Sequence, residues 1–316
     1  MKIYITRQIP EIGIELLKKK GFDVSVYTKD QPIALNELKK AIIKCDGLIS
    51  MLSDKIDKDI IDAMKNCKII ANYAVGFNNI DVSYAKSRGI IVTNTPDVLT
   101  DSTADLTLAL VLACSRRISE SEKLVRDKKF VGWKPKLLLG VELKDKYFGI
   151  LGSGRIGTAV ARRAFSFGCK ILYYSNSSNQ VLEKELKAKR LSLNSILKKS
   201  DIISLHLPLN IKTKNLLDRE KLNLLKPSSI LINTARGEII DEAYLIRLLK
   251  ENKISSAGFD VYQNEPNINQ EFYKLKNVVL LPHIGSATIE ARNKMSTLAA
   301  KNVIAVLSGT RALTPV

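Results

Sequence analysis

Short runs rich in branched and aromatic residues recur along the first third of the chain, at Lys2–Thr6, Phe22–Tyr27, Gly47–Ser50, Lys68–Ala71 and Ile90–Thr93. Runs of this length, bounded by polar or glycine-containing segments, predict strands. Between the first two, Pro10–Lys20 places Ile12, Leu16 and Leu17 near helical spacing and closes at Gly21. Together these segments predict one βαβ unit. A second series follows at Tyr147–Leu151, Lys170–Tyr174, Asp201–Leu205, Ser229–Asn233, Ser255–Phe259 and Val278–Leu281. Strands alternating with helix-length segments predict an α/β protein whose parallel sheets are covered on both faces.

Two further stretches bear on domain organisation. Asp101–Arg117 opens with helix-capping residues and is apolar over most of its surface, which predicts a long buried helix between the two strand series. Ala287–Leu307 reads as a helix after the last strand, so the carboxy terminus is expected to cross back. Residues 1–98 and 287–316 would then form one discontinuous domain, and residues 99–286 the other.

Composition changes this picture little. With 316 residues, 45% hydrophobic and 26% charged, the chain is long enough for two globular domains. The balance of charge is unusual, with 50 Lys and Arg against 32 Asp and Glu, a net +18. Such a field attracts anions, from nucleic acid and acidic lipid to small phosphates and carboxylates, although lysines spread over a solvated surface are the simpler account of it. Aromatic and basic residues do not interleave as a nucleic-acid platform requires, so nucleic acid is not an expected partner. The longest apolar run, Leu106–Cys114, is too short to span a bilayer. Cys45, Cys67, Cys114 and Cys169 lie far apart without a CxxC or neighbouring His, which argues against a metal site or a disulfide framework. With no apolar stretch of signal-peptide length in MKIYITRQIP, a cytoplasmic protein is expected.

Four constellations carry candidate chemistry. Gly152-Ser153-Gly154-Arg155-Ile156-Gly157 follows a predicted strand and precedes a predicted helix, Thr158–Phe167. In that context the glycines permit a tight turn and close approach of a pyrophosphate to the helix amino terminus. After the next strand stand Ser175, Asn176 and Ser177, where an NAD-selective site carries an acid for the ribose 2′-hydroxyl. Without that carboxylate a 2′-phosphate is not repelled. No arginine follows in this loop to bind one, and the next acid, Glu183, is further along. NADP(H) is therefore expected over NAD(H). Only two histidines exist, His206 and His283, so an imidazole acid must be one of them. His206 sits among apolar neighbours and suits a structural or cofactor-lining role. His283 follows a strand, and open α/β sheets bind ligands at strand carboxyl ends. Arg236 and Glu265 also follow strands; the first could bind a carboxylate in bidentate fashion, the second could orient His283. Each alone would pass for a surface ion pair, but three such residues at three successive strand ends suggest a site.

The segments NYAVGFNNID (Asn72–Asp81), TNTPDVLTDSTAD (Thr93–Asp105), LGSGRIG (Leu151–Gly157), INTARGEIID (Ile232–Asp241), GFDVYQNEP (Gly258–Pro266) and LPHIGSAT (Leu281–Thr288) resemble the D-isomer-specific 2-hydroxyacid dehydrogenases. The segment Gly132–Gly140 resembles the glyoxylate/hydroxypyruvate reductase branch. The resemblance implies a Rossmann-type cofactor domain inserted in a flavodoxin-like substrate domain, with a cleft that closes on binding. It further implies that Arg236 binds the oxo acid's carboxylate and carbonyl, that His283 donates the proton as hydride arrives, and that Glu265 holds His283 protonated. Backbone amides at Val75 and Gly76 would take the carboxylate. Thr103, Thr234, Ala235, Asp260 and Gly285 would line the cofactor, Asp260 at the nicotinamide carboxamide. Trp133 would reach into the partner subunit of a homodimer joined through its cofactor domains. One departure is Asn78, which stands where many relatives carry an acid.

The expected function is NAD(P)H-dependent reduction of glyoxylate or hydroxypyruvate to the D-2-hydroxy acid. The alternatives are the same chemistry on another substrate, such as 3-phosphoglycerate, and a non-catalytic nucleotide-sensing scaffold resembling the related corepressors.

Overall fold

A computed structural model describes all of residues 1–316. The chain divides into two compact units, Met1–Leu99 with Ser286–Val316, and Thr100–Gly285.

In the first unit, strands β1 (Lys2–Ile5), β2 (Asp23–Val26), β3 (Gly47–Ser50), β4 (Ile69–Asn72) and β5 (Ile91–Thr93) alternate with helices α1 (Glu11–Lys19), α2 (Leu35–Ile42), α3 (Lys58–Ala63) and α4 (Val82–Ser87). The sheet is all parallel in the order β2-β1-β3-β4-β5, the flavodoxin-like arrangement. Its central strands β3 and β4 are buried at every position, as expected of strands covered on both faces. The carboxy-terminal helix Ile289–Leu307 returns to this unit and packs on α1, β3 and β4.

The second unit begins with α5 (Thr100–Ser115) and α6 (Ile118–Arg126). Then come β6 (Tyr147–Leu151), α7 (Arg155–Ser166), β7 (Lys170–Tyr174), α8 (Gln180–Leu186), β8 (Lys189–Arg190), α9 (Leu193–Lys199) and β9 (Ile202–Leu205). It ends with α10 (Arg219–Leu222), β10 (Ile230–Asn233), α11 (Glu242–Lys250), β11 (Ser256–Phe259) and β12 (Val278–Leu280). Seven parallel strands run in the order β12-β11-β10-β9-β6-β7-β8, a Rossmann-type sheet whose strand order reverses between β6 and β9.

Two features depart from the sequence expectation. The helix expected from Thr158 begins earlier, at Arg155, so the glycine motif is already part of its first turn. The short strand β8 was not expected. Two residues cannot display a period, and Lys189 and Arg190 are both exposed. No helix is long and apolar enough to cross a membrane.

Candidate active site

The chemistry of the second unit gathers at the carboxyl ends of three adjacent strands, β10, β11 and β12. The first turn carries Arg236. Asn233, fully buried at the end of β10, accepts the Ala235 N–H through its side-chain oxygen (3.0 Å) and donates to the Arg236 carbonyl (2.8 Å). Two opposed bonds from one amide fold 233–236 into a turn and turn the chain off the strand. Burial pulls the Arg236 guanidinium below its ordinary pKa, while Glu265 and Glu238 oppose that pull. A guanidinium so lowered is still a cation at neutral pH.

Gly237 follows because nothing larger fits. A Cβ there would fall inside the backbone of Tyr262 and Gln263, which belong to the turn after β11. The Arg236 turn and the Glu265 turn are thus in backbone contact. Gly237→Ala is expected to destabilise the protein by about 1–3 kcal/mol through overpacking and to lower kcat/KM by more than that loss of folded protein explains. Urea unfolding alongside steady-state kinetics checks this; an alanine variant of unchanged stability and activity would contradict the packing.

The turn after β11 is braced from several directions. Glu242, at the start of α11, accepts the Gln263 N–H (3.0 Å), and Gln263 Nε2 donates to the Ile240 carbonyl (2.7 Å). Tyr262 packs edge-on against Phe272 and donates its hydroxyl to the Leu281 carbonyl (2.8 Å), linking this turn to the end of β12. Glu265 Oε1 then accepts the Tyr262 N–H (2.8 Å), and Oε2 lies 2.7 Å from His283 Nδ1. Burial pushes the Glu265 carboxyl up, but the His283 hydrogen bond, the Tyr262 amide and Arg236 outweigh it, and the group ends below its usual range. Glu265 is therefore ionised and can only accept, which puts a proton on His283 Nδ1 and leaves Nε2 as the working nitrogen.

His283 itself has φ +56°, in the left-handed region that side chains seldom adopt. The cause is next to it. Asp260, buried at the end of β11, accepts the Ile284 N–H through one oxygen and the Gly285 N–H through the other, both at 2.7 Å. Two charge-assisted bonds draw the backbone after His283 towards β11 and hold a conformation that would otherwise cost about 1–3 kcal/mol. Thr103 on α5 donates to the Gly285 carbonyl (3.2 Å), and Thr107, one turn on, pairs with Thr234 (3.0 Å). The helix thereby ties the β10 and β12 turns together.

His206 plays no such part. Its Nε2 pairs with Ser204 Oγ (2.8 Å), and burial pushes its pKa down to about 3. It is neutral at pH 7, and its carbonyl lies where a Cβ on Gly152 would have to go.

The glycine motif has the form a dinucleotide requires. Gly152 has φ +102°, and the next turn opens α7 with no side chain capping its amino terminus. A Cβ built on Gly154 meets nothing within 4 Å, so the space beside the first turn of α7 is open. A Cβ on Gly157 would overlap the Gly152 carbonyl. The residues fit a pyrophosphate at a helix amino terminus. Asn179 joins this turn to the loop after β7, donating to the Ser153 carbonyl (2.8 Å) and Thr158 Oγ1 (3.0 Å). On α8, Glu183 accepts the Tyr173 hydroxyl and is not directed to a ribose. An arginine reaches the backbone of Ser175 and Asn176 from outside the loop. Arg190 on β8 donates to the Ser175 carbonyl from Nε (3.1 Å) and Nη2 (2.9 Å), and to the Asn176 carbonyl from Nη2 (2.6 Å). The loop itself lacks an arginine; parallel pairing of β7 with β8 brings one from fifteen residues further on.

In the first unit, Val75 and Gly76 follow β4. The Ala74 carbonyl accepts the Thr95 N–H (2.9 Å) and the Val75 carbonyl accepts Asn94 Nδ2 (2.8 Å). In planar trans peptides the N–H of Val75 and that of Gly76 each point away from the partner of the preceding carbonyl. Trp133 lies on the segment after α6, 83% exposed. No group of three or more His, Cys, Asp or Glu side chains is placed to hold a metal.

The pattern of the D-isomer-specific 2-hydroxyacid dehydrogenase NAD-binding domain matches residues 108–285. The chain belongs to this family. A 2-hydroxyacid dehydrogenase of this kind is an NAD(P)-dependent oxidoreductase that interconverts 2-oxo and 2-hydroxy acids, and this one resembles members named glyoxylate reductase. That of Thermococcus litoralis is 48% identical over 98% of this chain and 94% of its own, and that of Pyrococcus furiosus 47% identical over 98% and 93%. A solved protein of Thermus thermophilus superposes with TM-score 0.94 at 41% identity, covering 100% of both chains. The NADPH-dependent glyoxylate/hydroxypyruvate reductase of Sinorhizobium meliloti, solved with NADP and malonate, superposes with TM-score 0.87 at 32% identity, over 100% of this dehydrogenase and 96% of that chain.

Arg236, Glu265 and His283 stand at successive strand ends, where the sequence puts them; the structure joins Glu265 to His283 directly and Arg236 to their turn through Gly237. Asn233, Thr107, Glu242 and Tyr262 are not legible in the sequence. Thr107, Glu242 and Tyr262 act through side-chain bonds to groups outside their own element or turn, which leaves no local pattern, and the part of Asn233 shows only in the folded turn.

Proposed function

We propose that this dehydrogenase reduces glyoxylate or hydroxypyruvate to the D-2-hydroxy acid, with NADPH preferred to NADH and His283 as proton donor. The observation that carries the reading is the 2.7 Å contact between Glu265 and His283 on turns locked to the one bearing Arg236.

The dinucleotide would lie across Gly152, Gly154, Arg155, Ile156 and Gly157, with its ribose at Ser175, Asn176 and Ser177. Its nicotinamide end would be lined by Thr103, Thr234, Ala235, Asp260 and Gly285. When bound, it supplies the hydride. Arg236 binds the oxo acid's carboxylate and carbonyl oxygen. As negative charge builds on the carbonyl oxygen, the guanidinium stabilises it and His283 Nε2 delivers a proton. Glu265 keeps the imidazole oriented and compensates its charge. The lack of an acid at Ser175–Ser177 supports NADPH.

A homodimer formed through the cofactor domains goes with this reading. Val125, Phe130, Val131, Trp133, Leu139 and Val141 are all exposed within one short segment, an apolar concentration that a monomer in water would not favour. The four cysteines are free and buried, in keeping with a cytoplasmic location.

The test is loss of reduced-nicotinamide absorbance with glyoxylate, hydroxypyruvate, phenylpyruvate and phosphohydroxypyruvate, each with NADPH and NADH. The highest kcat/KM is expected for one of the first two with NADPH, from protein that sediments at twice the chain mass. A preference for phenylpyruvate or phosphohydroxypyruvate would keep the chemistry and discard the substrate; preference for NADH would discard the coenzyme assignment.

A further inference from the structure

The strand β8 has little structural weight: two residues, both exposed, at the edge of the seven-stranded sheet. Its parallel register sets Arg190 opposite Tyr173, one residue before the end of β7. From there the side chain reaches forward over the loop that follows β7. Nε and Nη2 hold the Ser175 carbonyl and Nη2 the Asn176 carbonyl, at 2.6 to 3.1 Å. A guanidinium has five N–H donors in one plane. The three bonds use the Nε and Nη2 side of that plane, and Nη1, with two donors, lies on the other side.

The acids nearby are otherwise engaged. Glu183 accepts the Tyr173 hydroxyl, and Glu185 pairs with Arg162 at 2.8 Å. Nothing in the loop, Ser175-Asn176-Ser177-Ser178, competes for the cation as a carboxylate would. The loop is also fixed relative to the glycine turn, because Asn179 bonds Ser153 and Thr158. A ribose placed by the glycine turn therefore meets the same stretch of chain that Arg190 holds.

We propose that Arg190 is the residue that selects a 2′-phosphorylated coenzyme, its guanidinium held in place by the Ser175 and Asn176 carbonyls and its Nη1 side turned to the 2′-phosphate. The proposal rests on the dinucleotide reading given above and adds the cation that the loop lacks. Preorganisation is the physical reason. An arginine already fixed by two carbonyls loses little rotamer freedom when the phosphate arrives, and the two N–H donors of Nη1 remain for phosphate oxygens. The side-chain hydroxyls and amide of Ser175, Asn176 and Ser177 add neutral donors around it.

Calorimetric titration of the full-length protein with 2′,5′-ADP and with 5′-AMP tests this without turnover. The wild type is expected to prefer 2′,5′-ADP. Arg190→Gln and Arg190→Met are each expected to cut that preference about ten-fold or more, the size of a lost hydrogen bond to a charged group. Glutamine retains a donor for the Ser175 carbonyl but no charge. A loss of preference in Arg190→Met alone would make Arg190 only a strut for the loop and overturn the proposal. So would an unchanged preference in both variants, or a wild type that binds the two nucleotides equally while still reducing oxo acids. A wild type that binds neither nucleotide would instead overturn the dinucleotide site itself, and the proposal with it.

Discussion

Replacing His283 by alanine is expected to lower kcat by about 10²–10⁴-fold, the usual contribution of a positioned general acid, with a much smaller change in KM. The reason is local. Glu265 is ionised and accepts from Nδ1, so Nε2 is the nitrogen free to serve the substrate, and no second imidazole can replace it. His206 is held neutral by burial and paired with Ser204. Glu265→Gln can still accept from Nδ1 through its amide oxygen but no longer compensates an imidazolium, so it should keep more turnover than His283→Ala while losing part of the rate. Single-turnover measurements with saturating coenzyme separate the chemical step from product release. Near-normal turnover in His283→Ala would show that another group, or water, carries the proton.

The second large effect is expected at Arg236. Arg236→Ala should lower kcat/KM for a 2-oxo acid by about 10²–10⁴-fold, which corresponds to losing two hydrogen bonds to a charged group at about 1.5–3 kcal/mol each. Most of it should be a rise in KM, because the carboxylate is bound in ground state and transition state alike, with a smaller fall in kcat because the guanidinium also meets the charge developing on the carbonyl oxygen. Arg236→Lys should recover only part, since an ammonium cannot reproduce the bidentate fork. The backbone of this turn is folded by the two Asn233 bonds, and the alanine variant gives up only the bond from Arg236 Nη1 to the Ala235 carbonyl (2.6 Å), so it should remain folded. Unchanged KM for glyoxylate in Arg236→Ala would remove the residue from the substrate site. The contrast between the two variants is itself informative: a turnover defect at His283 and a binding defect at Arg236 assign the two roles independently.

Much of the architecture follows from pattern. Strands buried on both faces are apolar over most of their length, so β3, β4, β9 and β10 stand out in the sequence as short aliphatic runs, each with a single polar residue, Ser50, Asn72, Ser204 or Asn233. The glycine motif is legible because its backbone demands are met by glycine alone, at Gly152 through a positive φ and at Gly157 through contact with a carbonyl. Arg236, Glu265 and His283 are legible for a related reason. Each lies just past a strand, and in a parallel sheet every strand end of one kind faces the same side.

What the amino-acid sequence determined by itself is therefore the class of the fold, the dinucleotide turn and the three residues of the candidate catalytic centre, since all of these depend on local period or on position relative to a strand. The tertiary structure alone decided which distant groups act on them. Asp260 sets the left-handed backbone of His283, Glu242 and Tyr262 brace Glu265, and Arg190 holds a loop fifteen residues before it. These are bonds from a side chain to another segment's backbone or to a neighbouring turn. They depend on which strands lie side by side and in what register, and that is settled only when the whole sheet packs.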